Sequence, residues 1–153
     1  MNRRAEIAMS AAEIDAFLRE ERTVVVASNG VSGHPHVVPM WFALRDGRIE
    51  FWTYRKSQKV LNLRRDPRVS CLVEAGEEYG ELCGVLVEGT AEIIDDPDEV
   101  LRIGAAVAEH SIGPLDDAAR AGLRHTGAKR VGVIVHPTRV TSWDHRKLGA
   151  AQY

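Results

Sequence analysis

Asp46-Gly47 stands between two short runs of strand-forming residues, and it constrains this chain more than any other feature. An Asp-Gly pair supplies the left-handed backbone that joins two adjacent antiparallel strands. Residues 34–45 and 48–54 therefore read as a hairpin. Asn29-Gly30 and Ser32-Gly33 give similar turn chemistry after a β-branched run at residues 23–28. A parallel α/β sheet needs a helix after nearly every strand, so these turns exclude it.

The other elements follow from caps and periodicity. Ser10-Ala-Ala-Glu13 is a capping box, and Ile14, Phe17 and Leu18 share a face, which predicts a helix over residues 10–21. Residues 57–65 have helical spacing, with Val60, Leu61 and Leu63 apolar and Asp66-Pro67 as the stop. Strands are expected at 69–74 and, by clean alternation, at 85–94, with an acidic glycine-rich loop at 75–81 between them. Asp96 followed by Pro97 reads as a helix start, and Gly113-Pro114 separates helices at 100–110 and 115–125. Residues 131–136 and 139–143 read as two last strands divided at Pro137. The expected fold class is α+β: an antiparallel β-barrel with flanking helices, one domain over residues 1–153.

Composition narrows the function classes. A net charge of −2 gives no whole-protein field for nucleic acid or membrane partners. No apolar run is long enough to span a bilayer. Residues 1–9 lack the apolar core of a signal peptide, so a cytoplasmic location is expected. Cys71 and Cys83 lie in apolar runs and read as buried free thiols. Dinucleotide, Walker and nucleophile-elbow motifs are absent from the sequence. His110, His125 and His136 lie near element ends and read as carbonyl caps, and His34 with His36 lacks a third metal ligand.

Chemistry concentrates between residues 34 and 68. Pro35 and Pro39 cannot donate to a ladder, so their strand is an edge, a bulge or both, and main-chain donors are left without strand partners there. Val38, Met40 and Trp41 supply apolar surface beside those donors, which suits a flat redox ring such as a flavin. The next strand runs straight into a helix that begins Ser57-Gln58-Lys59. Arg55, Lys56, Ser57 and Lys59 thus gather cations, a hydroxyl and free N–H groups at one junction, a recipe for holding a phosphate. Arg64, Arg65 and Arg68 read as a solvated helix face.

Phe51-Trp-Thr-Tyr, Ser57-x-Lys59 and Asn62-Leu-Arg-Arg-Asp-Pro-Arg68 resemble the pyridoxamine 5′-phosphate oxidase-like superfamily of split β-barrels. Val87-Glu-Gly-Thr-Ala91 and the closing Thr141-Ser-Trp-Asp-His-Arg-Lys-Leu148 resemble the same group, so the likeness runs over residues 13–143. The resemblance implies an FMN-binding split barrel that forms a homodimer, with cofactor in clefts at the subunit interface. It implies a phosphate held by Arg55, Lys56, Ser57 and Lys59, and a ring against His36, Val38, Pro39, Met40 and Thr53. Trp143 would cover the partner's cofactor or fill the dimer core. The oxidase itself has an arginine where this chain has Gln58, and the chain looks more similar to the branch of reductases that use the deazaflavin coenzyme F420. Arginine far outnumbers lysine, which suggests a GC-rich genome and agrees with that branch. FMN is the alternative cofactor.

The implied activity is hydride transfer to a small conjugated acceptor, a quinone, tetrapyrrole or activated alkene, with His36 as a candidate proton donor. A non-catalytic binder of flavin, deazaflavin or haem is the reading from another class. No nucleic-acid or membrane partner is expected.

Overall fold

A computed structural model describes residues 3–149. Two helices open the chain, α1 (Arg3–Ile7) and α2 (Ala11–Glu20). The Ser10–Glu13 capping box is formed in both directions at the start of α2. Five-residue α1 carries no sequence signal comparable to that box, and the reading of the sequence missed it.

Strands β1 (Thr23–Asn29) and β2 (Pro35–Trp41) form the first hairpin. Strands β3 (Ala43–Arg45) and β4 (Arg48–Tyr54) form the second, around Asp46 and Gly47 at φ 52° and 74°. Both turn residues are left-handed, the geometry that matches the twist of the flanking strands. Helix α3 (Gln58–Arg65) follows, then β5 (Arg68–Ala75) and β6 (Cys83–Ile94). Helices α4 (Pro97–Ile112) and α5 (Asp117–Gly127) precede the long β7 (Arg130–Asp144). The strands form one antiparallel sheet, in the order β2-β1-β5-β6-β7-β4-β3, curled into a half-barrel with flanking helices.

Two expectations are corrected. The strand expected over 34–45 breaks at Phe42, not at either proline, because the chain there leaves β1 and joins β4. Pro35 begins β2 and Pro39 sits within it, where an edge strand tolerates a missing donor. Pro137 does not divide the last strand either. Opposite it the register jumps between Glu88 and Gly89, so Thr138 is an extra, bulged residue. Gly89 makes the bulge sterically feasible, since a Cβ there would lie 2.2 Å from the carbonyl oxygen of His136.

Alternation assigns the two faces of the sheet. Val24, Val26, Phe51, Val85, Val133 and their neighbours point into the half-barrel and form the main core. Cys71 lies in this core as a free thiol, its pKa pushed up to about 12 by burial; Cys83 is also free and buried. On the outer face of β4, Trp52 packs against Gly104 of α4, where a Cβ would approach the indole to 2.5 Å. Ala43, Ile103 and Val107 complete this smaller cluster. Among the described residues, no helix is long and apolar enough to cross a membrane.

Glu50 is the costly residue in this layer. It is 1% exposed on β4, and Arg102 of α4 meets it with two hydrogen bonds of 2.9 and 2.6 Å. Arg102 also donates to Glu99, which accepts from Arg45 at 2.8 Å. The bidentate geometry compensates the desolvation of the carboxylate. R102M should therefore destabilise the fold by about 3–5 kcal/mol by stranding a buried charge, whereas E50Q/R102M should recover most of that loss in denaturant titration.

Candidate functional site

An unbroken β3–β4 ladder would continue from Ala43 opposite Glu50 to Met40 opposite Thr53. It does not, because β2 bonds to β1 alone. The result is a split in the barrel wall, with the free edge of β2 on one side and the end of β4 with the start of α3 on the other. An edge strand keeps part of its main-chain donors out of any ladder.

The expected site residues divide by alternation along β2. His36, Val38 and Met40 point to the inner side and are half-buried. Pro39 and Trp41 point to the outer side and are exposed, with Trp41 at 52%. Both faces therefore cannot lie under one ring within a single protomer. The imidazole Nδ1 of His36 is buried without a hydrogen-bond partner. His36 is paired across the ladder with Ser28, whose hydroxyl accepts from Asn62 Nδ2 at 3.1 Å. Gln58 donates to Asn62 Oδ1 at 2.9 Å, so a polar chain fastens α3 beside the strand that carries His36.

Thr53 is buried at the end of β4, and Lys59 Nζ donates to its hydroxyl at 3.1 Å. Ser57 is the N-cap of α3, yet its hydroxyl makes no cap bond and is buried without a partner. An N-cap serine usually satisfies a free N–H of its own helix. Here the hydroxyl stays unbonded, and the Val60 amide donates to the Ser57 carbonyl at 3.1 Å instead. Lys59 has no carboxylate partner among the described residues, and its pKa is lowered by burial and then by the positive charge of Arg130. A half-buried ammonium without a counter-charge is stabilised by an anion placed beside it.

The remaining cations are distributed less evenly than the sequence suggested. Arg55 donates to Asp95 at 3.2 Å and to the Arg130 carbonyl at 3.3 Å. Arg64 donates twice to the same aspartate at 3.0 Å. Arg68 is held by Asp66, and Arg65 donates to the carbonyl of Asn29. Arg64, Arg65 and Arg68 thus make structural contacts at the surface, and Arg55 braces a backbone rather than standing free. Lys56 is exposed, with no carboxylate partner among the described residues.

Arg130 was not among the residues singled out from the sequence. Its guanidinium lies 4.6 Å from the Trp52 ring centre and 4.3 Å from that of Tyr54, and its Nε is buried without an acceptor. Only the pairing of Tyr54 with Arg130 across β4 and β7 brings these residues together. Trp143 lies at the opposite end of the β6–β7 ladder, stacked on Gly84, where a Cβ would come within 2.4 Å of the indole. It lines a broad groove with Met9, Leu86 and Val140, away from Lys59 in the same protomer. His110 donates to the Glu21 carbonyl at 2.6 Å and so does cap a carbonyl, whereas His136 pairs with the Glu92 carboxylate at 2.6 Å.

A family model described as pyridoxamine 5′-phosphate oxidase matches residues 10–144. The chain belongs to the pyridoxamine 5′-phosphate oxidase family. Among solved structures, this family member is 47% identical to conserved hypothetical protein Rv2991 of Mycobacterium tuberculosis, with a TM-score of 0.91 over 98% of this chain and 94% of that one. It is 25% identical to a protein described as an F420 reductase, with a TM-score of 0.64 over 83% of this chain and 94% of the other. A FAD-binding protein of Mesorhizobium loti shares the fold at 22% identity and a TM-score of 0.66, over 88% and 94% of the two chains. No curated protein matches the chain.

The family places small-molecule cofactors on this scaffold, and the orphaned polar atoms of His36, Ser57 and Arg130 fit a group with an anionic tail. Anion binding should require protonated Lys59. Because its pKa is lowered, affinity for inorganic phosphate should begin to fall at a lower pH than an ordinary lysine would allow. K59R, which stays charged, should remove that decline when phosphate is titrated calorimetrically across alkaline pH.

Proposed function

We propose that this chain is an oxidoreductase that holds coenzyme F420 in the split of its barrel and passes a hydride from the reduced ring to a conjugated organic acceptor. The observation that carries the reading is the pair Lys59–Thr53 with the unsatisfied Ser57 hydroxyl, set where β4 runs into α3. Lys59, Ser57 and Lys56 would hold the anionic tail. His36, Val38, Met40 and Thr53 would flank the ring, and the free amides of β2 would take up charge at its pyrimidine end.

When bound, the coenzyme supplies the hydride. The protein's part is to align the acceptor, exclude water and keep donors fixed where charge develops. His36 has an imidazole nitrogen with no internal partner, which suits it to hold a proton near the reacting atoms. Support for the deazaflavin comes from the likeness to an F420 reductase over most of both chains. FMN is the second reading, because the half-buried Lys59 and the unbonded Ser57 hydroxyl would suit its phosphate monoester as well.

We further propose a homodimer. Val37 and Trp41 are 55% and 52% exposed on the outer face of β2. The row continues through half-buried Val25, Leu72 and Leu86. A second copy on this face would bury that apolar row and bring another chain's Trp143 and outer β2 residues into a shared cleft.

Purified protein should quench F420 fluorescence on titration, bind FMN more weakly and sediment as a dimer. K59A should weaken either phosphate-bearing cofactor by about tenfold or more while leaving riboflavin affinity within about twofold. A protein indifferent to both cofactors, or one that shows a Soret band and binds only haem, would overturn the reading.

A further inference from the structure

Helix α3 is bonded to two strands that the sheet keeps apart. Near its start Lys59 donates to the Thr53 hydroxyl of β4, and further along Asn62 Nδ2 donates to the Ser28 hydroxyl of β1 at 3.1 Å. At its end Asn29 Nδ2 donates to the Asp66 carboxylate at 2.8 Å, and Arg65 donates to the Asn29 carbonyl. In the sheet order β5, β6 and β7 lie between β1 and β4. Lys59, Asn62, Leu63 and Asp66 recur at helical spacing, so one face of α3 makes the contacts to both strands. Leu63 on that face enters the main core.

Asn62 is the buried link of this tie. Its side chain is fully buried, in a helix of only eight residues. A buried amide costs stability unless its polar ends are bonded. Both ends are: Nδ2 donates to Ser28, and Oδ1 accepts from Gln58 at 2.9 Å. The Ser57 hydroxyl and His36 Nδ1, by contrast, are buried without partners. Ser57 caps the helix that Asn62 fastens, and His36 is the cross-strand partner of Ser28. Asn62 therefore links the elements that carry these two candidate ligand contacts and bonds to neither of them.

We infer that Asn62 is a positioning residue: it fixes where the Ser57–Lys59 end of α3 stands relative to the strand of His36, and so selects ligands whose anionic tail and ring are separated by that span. The inference rests on the proposed function, in which the tail meets Ser57 and Lys59 and the ring meets β2. Hydrogen bonds are directional, so they set the rotation and axial position of a short helix more narrowly than apolar packing does. A molecule that joins two subsites gains affinity only while their separation matches its own length. Asn62 touches neither part of the ligand in this arrangement and acts through α3 and Ser28.

Calorimetric titration of the intact chain tests this with a tailed cofactor, its tail-free ring and inorganic phosphate. The pairs are FMN with riboflavin, and F420 with its phosphate-free deazaflavin chromophore. S28A/N62L replaces both partners with apolar groups of similar size, so its denaturation midpoint should return close to wild type while that of N62L stays lower. In S28A/N62L, phosphate and the tail-free ring should each bind within about twofold of wild type, and the tailed cofactor about tenfold more weakly. Q58A, a change at the surface, should weaken the tailed cofactor by about threefold and leave phosphate within about twofold. Its result decides the matter should S28A/N62L fail to fold. Wild-type affinity for the tailed cofactor in the deciding variant would make Asn62 a structural residue only. So would a loss shared equally by phosphate or the ring. Either outcome overturns the inference while the cofactor reading stands. A wild type that takes up neither cofactor removes that reading and the inference with it.

Discussion

At Phe42 the chain changes partners. Up to Trp41 it hydrogen-bonds with β1, and from Ala43 it hydrogen-bonds with β4. The sheet therefore curls into a half-barrel in which β2 never joins the end of β4, so the outer edge of β2 and the β4 positions beyond β3 both stay out of that ladder. Had the β3–β4 ladder run on, Met40 would be locked against Thr53 and no donor on that edge would remain to meet a ligand. Phe42 itself is fully buried, so the point of divergence is anchored in the core and is not a frayed end.

Charge is organised around that opening by subtraction. The basic window from Arg55 to Arg68 contains six cations, but three of them pair with Asp95 or Asp66 and a main-chain carbonyl engages a fourth. Among the described residues, Lys59 and Lys56 of that window have no carboxylate partner. A field with few unpaired charges in fixed positions is more selective than a diffuse basic patch, because each remaining cation asks for an oxygen at a particular place. On the other side of β4, the opposite strategy holds: Glu50 is fully desolvated and fully paired with Arg102, which ties α4 to the sheet. One strand thus carries a satisfied buried charge on its outer face and leads, at its end, into an unsatisfied cluster.

Much of this was legible in the order of residues. The Asp46-Gly47 turn required an antiparallel hairpin, the Ser10–Glu13 box required a helix, and β4 begins and ends where its pattern said. The site was half legible. Ser57 and Lys59 announced themselves by position at a helix start, because that signal is local. Arg55 carried the same local signal and is nonetheless engaged by Asp95, forty residues away in sequence. Arg130 gave no local signal, since its neighbours Trp52 and Tyr54 lie more than seventy residues earlier.

The sequence by itself determined the antiparallel class, the caps, the alternation that assigns each side chain to a face, and the collection of phosphate-suited groups at the β4–α3 junction. All of these depend on steric and hydrogen-bonding rules that act within a few residues. Tertiary structure alone decided where the barrel splits, which prolines were harmless, and which cations met a carboxylate. Those outcomes depend on strand pairing and on competition between distant groups for the same carboxylates, and no rule acting over a few residues can rank competitors that meet only when the sheet curls.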